Sequence, residues 1–148
     1  MEKLYKKISI IGAGTWGVAI ASHLCEKASV ELTHYRKSFL KDLNEKRVHP
    51  QISDFKIPKK IKIKHTLNPQ ADLFIVATPV QHIRSVLGGM KLSKKNPILI
   101  LSKGIEQGTL MFPSDIVKDV TRQKETKIAI LSGPSHAEEV LKKTLQAL

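Results

Sequence analysis

The hexapeptide Gly12-Ala13-Gly14-Thr15-Trp16-Gly17 constrains this chain more than any other feature. It follows the apolar run Ile8-Ser9-Ile10-Ile11 and opens a segment, Thr15 to Lys27, where Val18, Ala21, Leu24 and Cys25 recur at helical spacing. A strand that turns through G-x-G-x-x-G into a helix gives each glycine a physical task. Gly12 permits the tight turn. Gly14 lets the backbone approach a pyrophosphate with no Cβ in the way. Gly17 allows the helix to pack closely on the strand. The helix start adds unpaired N–H groups and a partial positive charge. The same hexapeptide without a ligand is a tight strand-to-helix turn and nothing more.

Further apolar runs, at Val30–Tyr35, Asp72–Ala77, Pro97–Leu101 and Lys127–Leu131, read as strands. Helices are expected from Ser38, as N-cap, to about Lys46, and over Gln81–Leu87, Phe112–Thr121 and Ser135–Lys143. Pro50 to Pro58 reads as irregular. Ile61-Lys62-Ile63-Lys64 alternates strictly, as a half-buried strand does, and its lysines suit a sheet edge. Strands alternating with helices predict an α/β fold of Rossmann type, a doubly wound, mostly parallel sheet with helices on both faces. With 148 residues the chain is one domain's worth.

Composition narrows the function less than the motif does. The net charge is +12, from 25 basic and 13 acidic residues, and it favours anionic partners. Aromatic content of 5% argues against a stacking platform for single-stranded nucleic acid. Lys56, Lys59, Lys60, Lys62 and Lys64 read most simply as a solvated face. No apolar run approaches the ~18 residues of a membrane span, and no secretory signal is evident, so a cytoplasmic setting without membrane insertion is expected. Cys25, the single cysteine, falls on the apolar face of the first helix. No metal site is expected, because no histidine pair has helical zinc spacing.

Cofactor preference is read at the end of the second strand. NAD-selective folds place an acid there to hold the ribose hydroxyls. This chain has Thr33-His34-Tyr35-Arg36-Lys37. Arg36 suits the adenosine ribose or a 2′-phosphate, which tilts the expectation toward NADPH while leaving NAD open.

Two more segments follow strands on the glycine turn's edge: Ser102-Lys103-Gly104-Ile105-Glu106 and Ser132-Gly133-Pro134-Ser135. A lysine and a Gly/Ser loop at a helix start suit an anionic substrate such as a phosphate ester. With Ile11–Gly17, Ile75-Val-Ala-Thr-Pro79, Gln81 and Ala137-Glu-Glu-Val140, they make the chain resemble the amino-terminal domain of bacterial NAD(P)-dependent sn-glycerol-3-phosphate dehydrogenase, from about Lys7 to Val140. That family reduces dihydroxyacetone phosphate to sn-glycerol 3-phosphate for phospholipid synthesis. The resemblance implies that Gly12, Gly14, Thr15, Trp16, Gly17, Arg36, Pro79, Lys103 and Ala137 meet the nucleotide. It implies that Lys103, Gly133 and Ser135 line the substrate site.

The sequence departs from the family at His136, where an aromatic residue is usual, and after Val140, where Gly and Pro are. It also lacks the family's Tyr-Leu-Pro in Val48–Asp54. The family continues into a helical substrate domain carrying its proton-donating lysine, so no catalytic residue is assigned in residues 1–148. The expectation is a nucleotide-binding fragment with little turnover, exposing apolar surface and compatible with a homodimer. Two other readings stay open at this point: another Rossmann dehydrogenase domain, and a non-catalytic nucleotide- or nucleic-acid-binding module.

Overall fold

The computed structural model describes residues 5–92, 96–122, 127–133 and 136–142. Thirteen elements alternate along those residues. The strands are β1 (Lys7–Ile11), β2 (Ser29–Thr33), β3 (Val48–His49), β4 (Ile52–Lys56), β5 (Lys62–Lys64), β6 (Leu73–Val76), β7 (Ile98–Ile100) and β8 (Ile128–Ile130). The helices are α1 (Thr15–Leu24), α2 (Lys37–Lys46), α3 (Val80–Gly88), α4 (Pro113–Thr121) and α5 (Ala137–Leu141).

Six strands form one parallel sheet in the order β5-β2-β1-β6-β7-β8. The chain winds outward from β1 in one direction, returns, and winds outward from β6 in the other. The order therefore reverses between β1 and β6, and a crevice must open above their carboxyl ends.

The two faces of the sheet bury different cores. Ile8, Ile10, Val30, Leu32, Ile63 and Ile75 pack on one face against Val18 and Ala21 of α1 and Leu40 and Leu43 of α2. Ile11, Phe74, Val76, Ile98 and Ile100 pack on the other against α3 and α4, through Ile83, Leu87, Ile116 and Val117. Central β1 and β6 are apolar on nearly every position because helices cover both their sides.

The β2–β5 half is different. Its second face carries Glu31, Thr33, Lys62 and Lys64, and the chain crosses from β5 to β6 through 65–72 without a helix. Glu31 is buried and accepts from Lys64 Nζ at 2.8 Å. The strict Ile/Lys alternation of β5 is thus the signature of a strand with helices on one side only. Its outer edge is closed by side chains: Asn44 Nδ2 donates to the Ile63 carbonyl, and Arg47 Nη2 to those of Pro58, Lys59 and Ile61. Those contacts occupy carbonyls that an unprotected edge would offer to another chain.

Three sequence expectations need correction. Residues 50–58 are not irregular throughout, since β4 pairs antiparallel with β3 and buries Ile52. Ser38 does not cap α2; the helix starts two residues earlier than that cap implies, at Lys37, with Arg36 at the cap position and no side-chain capping bond. The first helix ends at Leu24, and Cys25 closes it from its cap. Cys25 is buried as expected, and burial raises its thiol pKa.

Apolar side chains also stand exposed: Ile105, Leu110 and Phe112 between β7 and α4, and Ile130 and Leu131 at β8. No helix among the described residues is long and apolar enough to cross a membrane. Phe74 lies fully buried at the sheet centre. Phe74→Ala is expected to remove ~3–5 kcal/mol of stability in urea denaturation, and a loss below ~1 kcal/mol would contradict this placement.

Candidate functional site

The glycine turn is built by close approach. Gly12 has φ of +113°, and a Cβ there would stand 2.7 Å from the Ala77 carbonyl oxygen. A Cβ on Gly17 would stand 1.9 Å from the Gly12 carbonyl oxygen, so the helix can lie this near the strand only as glycine. Gly12 N–H donates to the Thr33 carbonyl, and Ala77 N–H to that of Ile11, which locks the turn to both neighbouring strands. Gly14 is the exception. No atom lies within 4 Å of the position a Cβ would take, and it faces open space.

That space is a cleft of about 330 Å³ above the reversal point of the sheet. Gly14, Thr15 and Trp16 line one side, and Ala77, Thr78 and Pro79 the opposite one. Leu101, Ser102 and Lys103 extend it, and Gln51 at the β3–β4 turn borders it. The first helical bond of α1 runs from Val18 N–H to the Gly14 carbonyl, so the amides of Thr15, Trp16 and Gly17 have no partner inside the helix. No side chain caps α1, and its first turn holds no acidic residue. Acidic residues stand in the first turns of α4 (Asp115) and α5 (Glu138 and Glu139), while α2 and α3 start without one, as α1 does. The positive end of α1 is left uncompensated where the cleft opens, which suits an anion.

Lys103 supplies the cleft's cation. Its Nζ donates to the Gly133 carbonyl at 2.7 Å and lies 5.9 Å from the Trp16 ring centroid. The loops after β1, β7 and β8 thereby meet at one ammonium group. Ser102 Oγ donates to the Thr78 carbonyl at 2.6 Å, tying the loop after β7 to the loop after β6.

Arg36 lies apart from this cleft, exposed at the end of β2. Its Nε donates to Tyr35 Oη at 2.7 Å, and its guanidinium is 5.2 Å from that ring. His34 stacks on Tyr35 and touches Phe39, which meets His49 edge-on. Burial lowers the pKa of His34 and of His49. A larger groove of about 660 Å³ lies between the 65–72 crossover and α3, lined in part by Tyr35, His65, His82, Val86 and Met90.

The structure therefore brings Gly14, Thr15, Trp16, Pro79 and Lys103 to one cleft, with Gly12 and Gly17 beneath and Gly133 bonded to Lys103. Ala137 is buried in the first turn of α5 and does not line that cleft. Pro134 and Ser135 lie outside the described residues. Glu31, the acid nearest the end of β2, is paired with Lys64 within the sheet. Sequence reasoning missed Gln51, whose place depends on a two-residue strand, and Thr78 as an acceptor. It also missed the pair of Arg84 with Glu106, 22 residues apart.

Residues 7–148 match the model of the NAD-dependent glycerol-3-phosphate dehydrogenase N-terminus. The chain belongs to that family. A relative from Wolbachia sp. subsp. Brugia malayi, named glycerol-3-phosphate dehydrogenase [NAD(P)+], is 40% identical over 92% of this chain and 42% of its own length. The relative of the same name from Fusobacterium nucleatum is 37% identical over 90% of this chain and 42% of its own. The crystal structure of glycerol-3-phosphate dehydrogenase from Coxiella burnetii superposes with a TM-score of 0.81 and 26% identity, covering 93% of this chain and 44% of that one. The chain thus spans less than half the length of these relatives. The Rossmann-like sheet expected from the sequence is the fold observed, shared with the Coxiella structure.

Within this domain the glycines should separate by role. Gly17→Ala is expected to cost at least ~2 kcal/mol in thermal or urea unfolding, because its Cβ meets backbone. Gly14→Ala is expected to stay within ~1 kcal/mol of the parent chain. Equal losses at both positions would contradict the assignment.

Proposed function

We propose that the chain is the nucleotide-binding part of an NAD(P)-dependent glycerol-3-phosphate dehydrogenase, which interconverts dihydroxyacetone phosphate and sn-glycerol 3-phosphate. The observation that carries the reading is the uncapped, acid-free start of α1 facing a cleft through Gly14, beside which the space is open. These features fit a dinucleotide. When bound, the nicotinamide supplies or accepts the hydride.

The protein's own residues bind and orient. The Thr15, Trp16 and Gly17 amides would hold the pyrophosphate. Arg36 would hold the adenosine ribose or a 2′-phosphate, with Tyr35 and the groove beyond it on the adenosine side. Lys103 would set its ammonium beside the reacting end, where negative charge on a carbonyl oxygen or a phosphate is stabilised. Gly133 fixes that ammonium through its carbonyl, and Pro79 closes the opposite wall. On the family resemblance Ser135 would meet the substrate and Ala137 the cofactor, although Ala137 lies buried outside the cleft.

No residue from 1 to 148 is given the proton-transfer role. A second, helical domain would supply that group and cover the apolar side chains exposed at Ile105, Leu110, Phe112, Ile130 and Leu131. On this reading the protein acts in phospholipid precursor synthesis in the cytoplasm, and NADPH is bound in preference to NADH.

Trp16, the chain's single tryptophan, reports on the cleft. Titration with NADPH or NADH is expected to quench it saturably, with NADPH bound more tightly. Arg36→Ala should weaken NADPH by ~10-fold, as loss of one charge-assisted contact does, and NADH by less. The purified chain should turn over dihydroxyacetone phosphate weakly or not at all. Absence of quenching by both nucleotides, or brisk turnover, would contradict the proposal.

A further inference from the structure

Lys103 sits on a loop, yet its ammonium is shared between Gly133 and the Trp16 ring, so something must hold that loop. The segment from Leu101 to Phe112 contains no helix or strand. Gly104, Gly108 and Leu110 all have positive φ, and Leu110 is 77% exposed. Leu101 and Met111 pack on the two cores near its ends, but Ile105 and Leu110 stand exposed, so apolar packing does not hold its middle.

What holds it is one face of α3. Gln81 Nε2 donates to the Ile105 carbonyl at 2.9 Å, and Gln107 N–H donates to Gln81 Oε1 at 2.8 Å. One turn on, Arg84 donates from Nε and Nη2 to the Glu106 carboxylate at 3.1 and 2.9 Å. Glu106 is buried, and it also accepts from Thr109 Oγ1 at 2.5 Å. These bonds, Arg84's first, hold its carboxyl below the usual carboxylate range. Arg84 Nη1 meets Asp119 of α4 at 2.5 Å, so the guanidinium is fixed from both sides. Gln81 and Arg84 are three residues apart on one helix face. That helix starts at Val80, directly after the cleft residue Pro79.

We propose that Arg84 is a positioning residue: through the buried Glu106 carboxylate it sets where the Lys103 ammonium stands in the cleft. Without Arg84 the Glu106 carboxylate is buried beside Thr109 with its charge unpaired, and it must move toward water. Lys103 is three residues from Glu106 along a loop held on its other side by the Ser102–Thr78 bond, so a displaced carboxylate pulls the segment through Gly104 and Ile105 and moves the ammonium. The inference rests on the reading of the cleft as a nucleotide site, because only there does the ammonium's place have a consequence for binding.

The test compares the 148-residue chain with Arg84→Ala, Arg84→Lys, Lys103→Ala and the double variant Arg84→Ala/Lys103→Ala. In the ligand-free chain, Trp16 emission senses the ammonium near its ring. Arg84→Ala should shift that emission as Lys103→Ala does, and the double variant should shift it no further. For NADPH, Arg84→Ala should raise Kd by ~3–10-fold, with no further rise in the Lys103→Ala background. Arg84→Lys should recover part of the loss, since it restores charge but not the two-pronged contact.

A merely structural arginine gives different results: Trp16 emission unchanged by Arg84→Ala, or losses in NADPH binding that multiply in the double variant. Either result overturns the proposal, as does a Lys103→Ala emission equal to that of the parent chain. If Arg84→Ala fails to fold by circular dichroism, the same cycle with Arg84→Lys decides. If the parent chain binds no NADPH, the nucleotide reading fails, and the emission comparison still decides the role of Arg84.

Discussion

The near-contact of Gly17 with the Gly12 carbonyl is the constraint on which the upper edge of this molecule depends. It lets α1 start directly over the end of β1, and it aims the first amides of the helix across the reversal point of the sheet. Gly12 in turn lies against the Ala77–Thr78 peptide, so the loops after β1 and β6 share one layer of backbone. Side chains could not build this junction, because any Cβ at either glycine would meet backbone atoms. The charge of the cleft follows from the same geometry. Amides and a helix end without an acid form one wall, and Lys103 is the cation set against them.

The asymmetry of the sheet has a common physical origin with the groove beside α3. A helix between β5 and β6 would bury the second face of β2 and β5, and their residues there would have to be apolar. The chain instead uses a helix-free crossover, so Glu31, Thr33, Lys62 and Lys64 occupy that face. The basic run around β5 belongs to this arrangement: Lys64 pairs with Glu31, and the edge carbonyls are taken by Asn44 and Arg47. Part of the positive charge of the chain is thus a structural property of one strand.

Much of the fold was legible because the central strands are local signals. Ile8–Ile11 and Leu73–Val76 are buried on both faces and appear as apolar runs, while β5 announces its edge position through strict alternation. The β3–β4 hairpin was not legible. Its strands are short, and Ser53 and Asp54 of β4 are both exposed, so only Ile52 and Phe55 hint at burial. The start of α2 was misplaced because Ser38 has the chemistry of a cap, whereas Arg36 occupies that position without using its side chain. In the cleft, glycine spacing disclosed the turn, because that constraint is written within six residues. The hold on Lys103 was hidden, since Arg84 and Glu106 find each other only after α3 packs beside the loop that follows β7.

The central claim is that an anionic dinucleotide meets the amides at the start of α1. Amide-resolved proton–nitrogen spectra of the labelled chain, recorded with and without NADPH, test it most directly. The account predicts the largest shifts at Gly14, Thr15, Trp16 and Gly17, with Lys103 following and Lys59–Lys64 unmoved. Shifts centred on Lys59–Lys64, with the glycine turn unchanged, would contradict it.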